Sequence, residues 1–112
     1  MKANGRVFEA LGDPTRRAIF EMLRKGPSAV GDIASRLPVS RPAVSQHLRV
    51  LRRAGLVHDR QEGTRRLYAI DPRGLEPLRE WVEAFWDTAL SRFAETAERG
   101  SRKHGSARHS RG

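Results

Sequence analysis

Apolar side chains recur along this chain at helical spacing, in blocks separated by proline, glycine and serine. Val7, Phe8 and Leu11 make a short amphipathic turn near the start. Asp13-Pro14 then predicts a helix start, because the carboxylate can accept free N–H groups and proline fits a first turn. Ala18, Ile19, Met22 and Leu23 follow on one face, and Gly26-Pro27 ends the element. Ser28 is the next cap candidate, ahead of Val30, Ile33, Ala34 and Leu37, whose spacing predicts about two helical turns. Leu37-Pro38-Val39 breaks that run. Ser40 caps a further helix in which Val44, Leu48 and Leu51 form the inward stripe, and Gly55 closes it with Leu56 as an apolar anchor.

After Leu56 the period changes. Val57–Arg60 and Arg65–Ile70 are short strand-like runs flanking Gln61-Glu62-Gly63-Thr64, which predicts a β-hairpin. Asp71-Pro72-Arg73-Gly74 reads as a turn. A long helix follows from Leu75 to about Arg99. Its apolar positions make two adjacent stripes, one of Leu78, Val82, Phe85 and Ala89, the other of Trp86, Leu90, Phe93 and Ala97. That width exceeds what one small core needs. The pattern is mainly α with a small β-hairpin, in the order α-α-α-α-β-β-α. Residues 1–99 are expected to form one domain, and the low-complexity basic tail 100–112 to be disordered.

Segment 28–54 has helix-turn-helix grammar: a short helix, a turn of three to four residues, and a capped helix. Stepping 100° per residue from Val44 leaves Leu48 and Leu51 within about 40° of it and puts Pro42, Gln46, Arg49 and Arg53 between about 140° and 200°. The outer face therefore carries small residues (Pro42, Ser45), an amide and guanidinium forks. Gln can pair with adenine N6/N7 and Arg with guanine O6/N7 in a major groove. Arg41, Pro42, Ser45, Gln46 and Arg49 are the candidate base readers.

Charge sharpens the picture. The chain has 112 residues and a formal net charge of +9. Residues 41–66 hold seven arginines against Asp59 and Glu62, whereas the long helix is acidic. A basic patch confined to one region is the footprint of a polyanion. Ser40, His47, Arg52 and Arg53 on the helix are the candidate phosphate contacts, with Arg60, Thr64, Arg65, Arg66 and Tyr68 on the hairpin. Cysteine is absent, which excludes disulfides and thiolate chemistry. No nucleophile–base pair, phosphate-cradling glycine loop or metal-ligand spacing marks an enzyme. No apolar run spans a bilayer and no leader is evident, so a cytoplasmic protein is expected.

Three stretches carry a family resemblance. Ala10-Leu-Gly-Asp-Pro-Thr-Arg-Arg17, the run Ser40–Val57 and the strand ending Arg66-Leu-Tyr-Ala-Ile70 occur in the order and at the distances found in ArsR-type winged helix-turn-helix regulators. The match covers about residues 6–99. It implies a winged helix-turn-helix fold and a homodimer built from the first and last helices. It also implies a recognition helix in each of two successive major grooves of a palindromic operator. Val7, Phe8, Leu11, Trp81, Phe85, Trp86, Leu90 and Phe93 are the apolar residues available to that dimer. Many relatives bind metals through cysteines or through histidines on the last helix. This chain resembles a cysteine-free branch, its long helix has no histidine, and His104 and His109 fall in the tail, so no metal site or cofactor is expected. The expected function is that of a homodimeric repressor of transcription, released by a non-metal signal that no residue names. The alternatives are a transcriptional activator or a winged-helix protein-interaction module; the latter would present an apolar or acidic face on residues 41–53.

Overall fold

The computed structural model describes residues 2–104. Backbone contacts divide the chain at Arg79/Glu80 into two compact units. The first contains helices α1 (Lys2–Gly12) and α2 (Pro14–Met22), strand β1 (Ser28–Ala29), and helices α3 (Val30–Ala34) and α4 (Arg41–Arg53). It continues through strands β2 (Val57–Glu62) and β3 (Arg65–Ile70) to a 3-10 turn at Pro72–Leu75. Helix α5 (Glu76–His104) begins at its end and supplies the second unit.

The helix starts follow local chemistry. The Asp13 carboxylate accepts the Arg16 N–H at 3.0 Å ahead of Pro14. That hydrogen bond is the main reason its carboxyl is held below the usual carboxylate value. The Ser40 hydroxyl accepts the Ala43 N–H at 3.2 Å and starts α4. Ser28 does not cap α3. It pairs with Tyr68 in an antiparallel ladder, so its backbone is extended, and α3 begins two residues later from Ala29 with no side-chain cap. The hairpin thereby gains a third strand, in the order β1-β3-β2. Helix α3 is also shorter than the spacing predicts. Tight turns from Arg36 to Ile33 and from Leu37 to Ala34 carry the chain out, so the connection to α4 spans residues 35–40.

The core of the first unit lies where α1, α2, α3 and the sheet meet α4. Val44, Leu48, Leu51, Ile19, Ile33 and Leu56 are fully buried there. Gly55, with φ of +81°, ends α4 in the left-handed region, and the Leu56 N–H returns to the Leu51 carbonyl at 3.0 Å. The chain leaving the sheet comes back to this corner, and the Asp71 N–H bonds the Leu56 carbonyl at 2.9 Å. Gly74 sits so close that a Cβ would lie 1.8 Å from the Gly55 carbonyl oxygen, a backbone atom. Gly74→Ala is therefore expected to cost about 1–3 kcal/mol or more through overpacking. A urea titration checks it: the midpoint should fall at unchanged slope, and an unmoved midpoint would show that the corner yields freely.

Helix α5 is one uninterrupted element that runs to His104, past the boundary read from sequence; tail residues 105–112 lie outside the described residues. Trp81, Phe85, Trp86, Leu90 and Phe93 are between 45% and 69% exposed on it. With Val82 and Ala89 they cover an arc of about 180° around the helix. The rings of Trp81 and Phe85 meet edge to face at 4.6 Å. No helix among the described residues is long and apolar enough to cross a membrane.

Candidate nucleic-acid interface

Helix α4 is divided as its sequence predicts. Val44, Leu48 and Leu51 have no exposed surface, while Arg41, Pro42, Gln46, Arg49, Arg52 and Arg53 are exposed and Ser45 is half-buried. The Arg49 guanidinium donates to the Gln46 amide oxygen at 3.2 Å, so the two polar groups of the outer face hold each other in place. Arg41 lies over Gly31 of α3, with its guanidinium 3.5 Å from the point a Cβ would occupy there. It shares an open polar cleft of ≈ 500 Å³ with Ala29–Asp32 and Thr64–Arg66.

The hairpin turns at Gly63, with φ of +63°. Alternation along β3 sends its two arginines to opposite faces. Arg65 reaches Asp32 on α3 at 2.5 Å. Arg66 reaches Asp59 on β2 at 2.5 Å, and the same carboxylate takes Arg52 of α4 at 3.2 Å. The Asp59 side chain is only 7% exposed, so one nearly buried carboxylate ties the hairpin to the end of α4. Arg60 lies 3.6 Å from Glu62. The hairpin arginines are thus not bare positive charge. The exposed pairs with Asp32 and Glu62 are worth about 0–1 kcal/mol each, so a phosphate can take their place at little cost.

Asp32 and Asp59 are the members of this arrangement that sequence reasoning missed. A usable signal existed for Asp59: it lies two residues from buried Val57 and therefore on the same face of β2. Asp32 gives no comparable signal, because its partner is 33 residues away.

One expectation, that for Val7, requires correction, and two phosphate candidates sit less openly than the outer face of α4. His47 is half-buried on the flank of α4, with Nδ1 3.5 Å from an Arg16 guanidinium nitrogen, because its position turns it toward α2 rather than outward. Tyr68 is half-buried with its ring against the core; register places it opposite Asp59, on the face that also carries Val57 and Ile70. Val7 is 1% exposed beneath α1 in the core of its own chain, which removes it from any intermolecular surface. Leu11 packs against that core as well, and Phe8 is half-buried. Ser40 and Thr64 remain exposed, at the start of α4 and at the hairpin turn.

A family model described as a helix-turn-helix domain matches residues 11–60, from the end of α1 into β2. The HTH-type transcriptional regulator Rv2034 of Mycobacterium tuberculosis is 58% identical over 90 residues, covering 80% of this chain and 84% of that protein. The transcriptional repressor SdpR of Bacillus subtilis is 35% identical over 79 residues, covering 70% and 88%. Among solved structures, the homodimeric winged helix-turn-helix DNA-binding domain of a possible ArsR-family regulator from Mycobacterium bovis superposes with a TM-score of 0.64. Its identity is 32%, and the match covers 81% of this chain and 84% of that one. The extent of these matches, and the agreement of the fold, mean that this chain belongs to the ArsR family of winged helix-turn-helix transcriptional regulators.

Proposed function

We propose that the protein works in the cytoplasm as a homodimer that occupies a palindromic operator and represses transcription until a non-metal signal releases it. The observation that carries the reading is the outer face of α4, where Pro42, Ser45, Gln46 and Arg49 offer small surfaces, an amide and a guanidinium above a fully buried aliphatic stripe. That face suits base edges in a major groove. A protein-interaction module would need an apolar or acidic face there. Arg41 and the hairpin arginines stand beside the helix for phosphate, with Asp59 setting the position of Arg52 and Arg66. The exposed aromatic arc of α5 is the surface for the second copy, and a solved relative described as homodimeric supports that use. Twofold symmetry would then set the two α4 helices about 34 Å apart, one turn of duplex. Release requires a ligand that binds two dimer geometries unequally. Occupancy of a promoter, rather than any catalysed reaction, is the proposed action.

Two substitutions divide the roles. Gln46→Ala is expected to lose about 1–3 kcal/mol of discrimination at particular base pairs. Arg65→Ala is expected to weaken binding to all sequences alike and to lower the salt slope by about one. Fluorescence anisotropy with matched and mismatched duplexes measures both; two silent substitutions would remove this docking face.

A further inference from the structure

We infer that the groove between α1, α2 and α4, on the flank of the recognition helix away from the hairpin, seats a second stretch of DNA backbone. The inference rests on the DNA-binding reading and extends it from the recognition helix to the neighbouring surface of α1 and α2, away from the hairpin. The groove holds ≈ 480 Å³ and is lined by Arg6, Glu9, Arg16, Val50, Arg53 and Ala54. Three guanidinium groups meet one carboxylate over an apolar floor.

The helical wheel fixes its place. Measured from Val44, Arg52 lies at about 80° and faces the hairpin, whereas Val50 and His47 lie at about 240° and 300°. Arg52 accordingly meets Asp59, and His47 meets Arg16 of α2. A helix with its side chains is about 10–12 Å across, close to the width of the major groove, so both of its flanks run beside phosphates. The hairpin serves one flank. The Arg6–Arg53 groove is the basic surface on the other.

The pairing of the arginines supports this use. Every hairpin arginine is matched to a carboxylate. Arg6 and Arg53 form no ion pair with a described residue, and both are exposed. Arg16 is held in place by donating to the Ala10 carbonyl at 2.7 Å and the Glu9 carbonyl at 3.2 Å, so its charge is fixed beside the groove. A backbone phosphate can enter a groove of this kind, which is open to solvent on one side. Arg6, on α1, joins Arg53 as a contact to the DNA backbone.

The test is the salt dependence of duplex binding by an Arg6→Ala, Arg53→Ala double variant, with Arg16 left intact because it also holds α1. Losing two phosphate contacts should lower the slope of log K against log salt by about 1.8, on operator and unrelated duplex equally. At 0.15 M salt that corresponds to a loss on the order of 30-fold in affinity. The double lysine variant should recover most of the slope. An unchanged slope, or a fall of about 0.9 that Arg53→Ala alone reproduces, would overturn the inference while the wild type still binds. So would an unchanged slope in a variant that has lost a sulfate-induced rise in melting temperature, which would assign the groove to small anions. A wild type that binds no duplex at all would overturn the DNA-binding reading, and this inference with it.

Discussion

A Phe85→Glu, Trp86→Glu variant is expected to sediment as a monomer at micromolar concentration and to lose about 10²–10⁴ in affinity for a full operator. Both rings are more than half exposed on α5, and they stand in an arc that also holds Trp81, Leu90 and Phe93. Covering an apolar side chain of this size is worth roughly 1.5–3 kcal/mol. A second copy supplies that cover to both chains at once. Four carboxylates gathered about a twofold axis would replace this gain with repulsion. The fold of the first unit should survive, since its core is built from Val44, Leu48, Leu51 and their neighbours and does not use these rings. The variant should therefore bind a half-site and a full operator with nearly equal affinity. A dimer that persists, or full-operator affinity that does not fall, would show that this face is not where copies meet.

Leu48→Ala should act through stability instead. The leucine has no exposed surface and lies at the centre of the α4 stripe, between Val44 and Leu51. Truncating a buried leucine costs about 2–5 kcal/mol, the spread reflecting how far neighbours collapse into the cavity. For a domain of this size that lowers the melting temperature by at least about 10 °C. DNA binding should fall with the folded fraction and recover at lower temperature, unlike the loss caused by Gln46→Ala, which is tied to base sequence. Thermal denaturation followed by circular dichroism decides it. A shift of less than about 2 °C would mean that Leu48 is not part of a close-packed core.

The features that sequence makes legible are those whose cause is local. The caps at Asp13 and Ser40 depend on a side chain three residues from its N–H partner. The closing of α4 at Gly55 and Leu56, and the division of its two faces, follow from helical geometry alone. The less legible features depend on distant partners. Strand β1 has two residues, Ser28 and Ala29, and is extended because Tyr68 and Leu67 return beside it some forty residues later. Asp32 reads as an ordinary surface acid until folding brings Arg65 to it, and the alternation that puts Asp59 on the face of Val57 does not name Arg66 and Arg52 as its partners. Gly74 gives no sign in sequence that the Gly55 carbonyl stands where its Cβ would be. Val7 shows a further limit: an apolar stripe on a short helix looks the same whether its own chain or a second copy covers it, and here its own chain does.

The most direct test is selection of bound duplexes from a random pool by the 112-residue protein, followed by sequencing. The outer face of α4, used twice about a twofold axis, predicts an inverted repeat with half-site centres about 10–10.5 base pairs apart. The same selection with Gln46→Ala should blur one position in each half-site. A pool that shows no enrichment, or that converges on a single unrepeated motif indifferent to Gln46, would contradict it.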